Sequence, residues 1–321
     1  MTLTSPAATA TDFDIDDSGI IALPTPRGIP IEPELDGYVV VDCYGQERPF
    51  NKGLLATGIL ATGAETPDAY AIALEVQQHL FKHHITRIDS ADLVILTAAK
   101  IANQLSRHMA DSYQAWNKAK ALGRPLIVAL TGAPGIGKST LATRLAIRLM
   151  VNQVVTTDAT REILRTIIPA QILPELHRSI LDSGEAQAVT YARQTEAVSA
   201  ACASVAQRSV RDGKPILFEG THLLPGALTR ALRSHPDSPI VVERVLYLND
   251  KDMHARHQAL HGRAVRGDAD GRAAARFEAS CELQQQMRSL AAQAGIREFE
   301  IGGRGNITQA IVQEYVEQAL A

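Results

Sequence analysis

The sequence predicts an α/β fold: a parallel β-sheet with flanking helices, preceded by a small, mainly helical domain. Three observations carry that expectation. From Pro125 onward, apolar runs of strand length alternate with helical stretches, the pattern of strands joined by crossover helices. The runs at 126–131, 153–157, 216–219, 241–248 and 298–301 are continuous in apolar character, which suits strands covered on both faces. Upstream, between residues 51 and 116, apolar residues recur instead at helical spacing.

Taken in chain order, residues 1–35 carry Asp12, Asp14, Asp16 and Asp17 but neither a basic start nor an apolar run, so they read as a disordered tail and not as a secretory signal. Val39, Val40 and Val41, a turn at 43–46, and then Arg48, Pro49 and Phe50 predict a small hairpin. Helical spacing follows in Leu54, Ile59 and Leu60, in Ile72, Val76 and Leu80, and in Leu93, Leu96 and Ile101. Residues 63–67 and 86–90 punctuate it, with Ser90 as a helix start. The texture changes at 121–124, which divides the chain into a tail (1–35), a mainly helical domain (36–121) and an α/β domain (122–321). In the last of these, helices are expected at 138–149, 159–168 and 185–212, with Val198, Cys202 and Val205 on one face of the third.

Composition excludes several classes. The chain has 321 residues with 45% hydrophobic and 21% charged content, enough to bury a substantial core. A formal charge of −3 leaves no broad basic surface for neutralising a nucleic-acid backbone, so any anion must be bound locally. Cys43, Cys202 and Cys281 lack zinc-binding spacing and fit a reduced compartment. No run reaches the length of a membrane span. A cytoplasmic protein is expected.

Residues 132–139 read Gly-Ala-Pro-Gly-Ile-Gly-Lys-Ser, a match to G-x-x-x-x-G-K-[ST] that chance places in a chain of this length on the order of once in a hundred. It follows an apolar strand and opens a helix, as the mechanism requires. This predicts a P-loop NTPase sheet with ATP and Mg2+ as cofactors. In it Gly132, Ala133, Pro134, Gly135, Ile136, Gly137, Lys138, Ser139 and Thr140 wrap the phosphates, with backbone N–H groups at the helix start pointing at them. Lys138 would bridge the β- and γ-phosphates, and Ser139 would give a hydroxyl to Mg2+. The bland alternative is a Gly-rich turn with an exposed lysine.

Other residues surround this loop in the expected sheet. Glu219 ends a buried strand and is expected to hold the metal and its waters, or else to cap the turn at Gly220. Asp158, at a strand end before a helix, suits a group that engages an acceptor hydroxyl, and equally suits a helix N-cap. Arg161 and Arg165, four apart, share a helix face that can grip an anionic acceptor or simply meet solvent. His222 lies close to this centre or packs in its turn. The stretch 252–276 contains Arg263 and Arg266 among five arginines, interleaved with Gly262, Gly267 and Gly271. It reads as a lid over the phosphates or as a solvated helical hairpin. The partner so described is a small anionic phosphorylated substrate.

The segments Arg48-Pro49-Phe50-Asn51-Lys52-Gly53, the phosphate loop, Thr157 to Ile163 and Glu219 to Gly226 together resemble 2-phosphoglycerate kinases, over nearly the whole chain after the tail. The resemblance implies transfer of the ATP γ-phosphoryl group to the 3-hydroxyl of 2-phosphoglycerate, giving 2,3-bisphosphoglycerate. It also implies that residues 36–121 are similar to an ATP-cone, in which Lys52 could meet a second nucleotide. The residues alone leave open a kinase of another phosphorylated metabolite, such as an inositol phosphate or a sugar acid, and a nucleotide-dependent regulatory switch.

Overall fold

Antiparallel pairing comes first among the described residues: β1 (Val40–Cys43) runs against β2 (Gln46–Pro49), with Val40 opposite Pro49. These belong to a computed structural model that describes residues 39–43, 45–181, 185–250, 252–255 and 272–321. The expected tail at 1–35, Tyr44 of the expected turn, and Arg263 and Arg266 of the expected lid lie outside those residues.

Asn51 caps α1 (Lys52–Leu60), its side chain accepting from Leu54 N. Next come α2 (Thr66–Lys82), β3 (Arg87–Asp89), α3 (Ser90–Gln104) and α4 (Arg107–Ala121). The cap of α3 is Asp89, accepting from Ala91 N, and Ser90 is already helical. β3 pairs parallel with β1, giving a sheet of order β2-β1-β3. Three residues are too few for an alternating pattern, so this strand leaves no trace in the sequence. Ile59, Ile72, Val76, Leu80, Ile101 and Tyr113 form the core of these elements.

The larger sheet is parallel throughout, in the order β5-β6-β4-β7-β8. Its strands are β4 (Leu126–Gly132), β5 (Gln153–Thr156), β6 (Ile216–Gly220), β7 (Ile240–Tyr247) and β8 (Glu298–Glu300), each within a residue or two of the expected run. Between them run α5 (Lys138–Arg148), α6 (Thr157–Ile167), α7 (Glu185–Arg211), α8 (Ala227–Leu232) and α9 (Arg272–Ala294), and α10 (Ile307–Leu320) follows β8. α8, α9 and α10 are additional to the helices the sequence predicts.

Side chains alternate across the sheet. Leu126, Val128 and Leu130 join Val242, Leu246 and Ile311 on one face, while Ile127, Ala129 and Phe218 join Val198, Cys202 and Leu228 on the other. The helical part packs on α10, where Trp116 meets the Tyr315 ring edge-on at 5.0 Å and Gln309 Nε2 donates to Thr62 O at 3.1 Å. Among the described residues no helix is long and apolar enough to cross a membrane.

Candidate active site

Three adjacent strands deliver the site. β4 ends in the phosphate loop, and β6 beside it places Glu219 in register with Leu130. β5, on the far side of β6, sets Thr156 against Glu219, so the start of α6 lies next to both. Crevices at the carboxyl ends of parallel strands are where such folds bind ligands.

In the loop itself, Gly137 is the N-cap of α5 with φ of 91°, a left-handed conformation that disfavours any side chain. No side chain caps α5, which leaves the amides of its first turn for a ligand. Lys138 is only 8% exposed and its ammonium donates to Ala133 O at 2.8 Å, folding back across the loop. Burial pushes it down to about 8, against the opposing pull of Glu219 and Asp158. A buried cation resting on one carbonyl beside open amides fits a polyphosphate, which would replace that carbonyl. Ser139 Oγ donates to Glu219 Oε1 at 3.0 Å, so the two residues expected to hold a metal already touch.

Asp158 lies in the first turn of α6, where a negative charge is favoured by the helix dipole. It is not the cap: Thr156 is, accepting from Ala159 N at 3.2 Å. That leaves the carboxylate, 77% exposed, available to the cleft. His222 Nδ1 sits 3.1 Å from Asp158 Oδ1, and this hydrogen bond, helped by the charges of Lys138 and Arg161, holds Asp158 below the usual carboxylate range. The His222 ring is 6% exposed, and its Nε2 is buried with no partner among the described residues.

The loop carrying His222 is pinned at two adjacent residues. His222 N donates to Thr157 Oγ1 at 3.2 Å, and Thr131 Oγ1 donates to Leu223 O at 3.1 Å. Two residues before His222, Gly220 has φ of 145°, and a Cβ there would lie 1.9 Å from Thr157 Oγ1. We expect Gly220→Ala to destabilise the protein by at least about 3 kcal/mol in urea unfolding, through backbone strain and overlap combined. A loss below about 1 kcal/mol would show that α6 and β6 can part freely.

Arg161 Nη2 donates to Arg178 O at 2.7 Å, and Gln194 Nε2 on α7 reaches the same oxygen at 2.8 Å. Arg165 instead pairs with Glu162 at 2.7 Å. His177 Nε2 contacts Ile168 O, back along the chain. Sequence reasoning missed Gln194, because a buried amide on a long helix has no motif. It also missed a clamp on the phosphate loop, in which Ser280 Oγ donates to Pro134 O at 3.2 Å and His254 Nε2 lies 3.1 Å from the same oxygen. Residues more than a hundred positions apart meet there, and no spacing in the chain signals it.

A family model described as an AAA domain matches residues 127–286. A 2-phosphoglycerate kinase of Pyrococcus furiosus is 34% identical over 197 residues, covering 58% of this chain and 65% of that protein. One of Pyrococcus horikoshii is 34% identical over 187 residues, covering 56% of this chain and 62% of that protein. The chain thus spans a little under two thirds of the length of these Pyrococcus relatives. A 2-phosphoglycerate kinase of Methanocaldococcus jannaschii is 30% identical over 239 residues, 72% of this chain. Since that match takes in 76% of the Methanocaldococcus protein at 30% identity, this chain belongs to the 2-phosphoglycerate kinase family.

Proposed function

We propose that this protein is an ATP-dependent kinase that phosphorylates the free hydroxyl of 2-phosphoglycerate, giving 2,3-bisphosphoglycerate. The observation that carries this reading is the meeting of two pairs at neighbouring strand ends: Ser139 with Glu219 at the phosphate loop, and Asp158 with His222 beside it. The relatives' name supplies the acceptor.

In this reading the loop amides and Lys138 bind the ATP phosphates, and Ser139 and Glu219 would hold Mg2+, which neutralises charge on the phosphoryl group. Asp158 accepts a hydrogen bond from the acceptor hydroxyl and aims its oxygen at the γ-phosphorus. As that oxygen bonds phosphorus, the bond to the β–γ bridging oxygen breaks, ADP leaves with the electron pair, and the hydroxyl proton passes to Asp158. A carboxylate held below its usual range is a weak base. That suffices for a loose transition state, in which the proton leaves late, and it keeps Asp158 ionised across the neutral range. His222 fixes the carboxylate's orientation. Arg161, Arg165 and, outside the described residues, Arg263 and Arg266 are assigned to the acceptor's phosphate and carboxylate. Residues 36–121 are read as an ATP-cone-like module and 122–321 as the kinase domain.

Incubation with Mg-ATP and 2-phosphoglycerate, followed by phosphorus NMR, should show 2,3-bisphosphoglycerate. If inositol phosphates or phosphorylated sugar acids react and 2-phosphoglycerate does not, the acceptor is replaced. Slow hydrolysis indifferent to every acceptor would replace the kinase with a nucleotide-dependent switch.

Lys138 also sets a pH dependence. Its free-protein value of about 8 lies below the ordinary 10.5, and bound phosphates favour its charged form. ATP affinity should therefore be flat below pH 8 and fall above it, by up to about tenfold per pH unit, with proton uptake on binding. Calorimetry in two buffers of different ionisation enthalpy measures that uptake, and Lys138→Arg should abolish it.

A further inference from the structure

At the end of the large sheet opposite the phosphate loop, a cavity of about 490 Å³ opens beside β7. It exists because β8 is short. β8 pairs only with Val245–Tyr247, while β4 runs alongside β7 from Ile240 onward. Ile240 N donates to Pro125 O on the β4 side and Val245 N to Arg297 O on the β8 side. By the alternation of a parallel ladder, the N–H groups of Val241 and Glu243 point to the uncovered edge.

The side chains around this notch have an unbalanced charge. Arg124, Arg233, Arg244 and Arg297 face Glu243 and Glu314, an excess of two positive charges. Both glutamates are already engaged. Glu243 accepts from Gly226 N, Thr229 N and Thr229 Oγ1, and Glu314 accepts from Arg244, Arg297 and Gln318. The arginines are only partly compensated: Arg244 and Arg297 share Glu314, while Arg124 and Arg233 make no ion pair among the described residues. Arg124 donates to the carbonyls of Ser238 and Gln318, which leave its charge uncompensated. Arg233 is exposed and makes no ion pair or hydrogen bond among the described residues. Arg297 is 68% exposed and reaches Glu314 only at 3.3 Å, whereas Arg244 is 3% exposed and fixed in place.

A concave site of this volume with convergent guanidinium groups, edge amides and satisfied acids has the chemistry of an oxyanion pocket. We propose that it is a second ligand site, separate from the reaction centre, for a small multivalent oxyanion such as a phosphate monoester or a polycarboxylate. An occupant would lie one hydrogen bond from the Glu219 to Gly226 loop, since Glu243 holds Gly226 N at 2.9 Å. The site is thereby placed to act as an effector site. It does not depend on the acceptor, so a failed acceptor assay leaves it standing.

The probes are inorganic phosphate and citrate, titrated calorimetrically into the full chain with MgADP saturating the phosphate loop. We expect at least one probe to bind at millimolar concentration or tighter. Its affinity should fall about tenfold or more in the Arg233→Glu, Arg297→Glu double variant, with ADP affinity unchanged. Arg233→Ala alone removes a side chain with no partner, so it tests the site even if the double variant folds poorly, and should weaken binding about threefold or more. Citrate over phosphate would assign a polycarboxylate and the reverse a phosphate monoester. If neither probe binds, or if Arg233→Ala and a folded double variant both bind like the wild type, the proposal is overturned.

Discussion

Lys138→Met is expected to abolish phosphoryl transfer while making the protein more stable. The side chain is 8% exposed and its ammonium rests on one carbonyl, so it is a desolvated charge with a single neutral partner. Loss of a cation aimed at the transferring phosphate should lower kcat on the order of 10³-fold or more. The stability change has a definite sign. With the folded value near 8 and the ordinary value 10.5, the unfolded chain holds the proton more tightly, so stability is lowered in full below pH 8 and recovers as pH rises from 8 to 10.5. At pH 7, removing the charge while keeping apolar bulk should therefore stabilise the protein by on the order of 1–3 kcal/mol. The gain should shrink toward zero near pH 10.5. Urea unfolding at pH 7 and pH 10 measures it; equal or lower stability at pH 7 would show that the loop does not strain against this lysine.

Asp158→Asn tests the acceptor side of the cleft. Because the carboxylate is exposed and its hydrogen bond is to His222 rather than to the phosphate loop, ATP affinity should change by no more than about threefold, the scale of a screened surface charge. The kcat should drop by about 10²–10⁴-fold, since the amide neither takes the hydroxyl proton nor aligns the oxygen as well. Steady-state rates with ADP detection, together with calorimetric ATP binding, separate the two effects. Normal turnover would remove Asp158 from the mechanism, while equal losses in binding and rate would make it a structural residue of α6.

The phosphate loop was legible because its chemistry is local. Glycines, a lysine and a serine within eight residues, between a strand and a helix, suffice to form the loop. The five strands of the large sheet were legible because a strand buried on both faces needs a continuous apolar run. β3 was not, since its three residues are set by pairing with β1 rather than by any pattern of their own.

What the sequence determined by itself was the α/β class, the place of the phosphate loop, and a short list of charged residues that each had a bland alternative. Tertiary structure supplied the contacts among them. Neighbouring parallel strands bring Glu219 within 3.0 Å of Ser139 and let His222 reach Asp158, and the cap at Thr156 frees Asp158 from that duty. It alone exposed the Pro134 clamp and the arginine-lined notch. Contacts across the sheet depend on strand order and register, and those arise from burial summed over the whole chain, which no local spacing records.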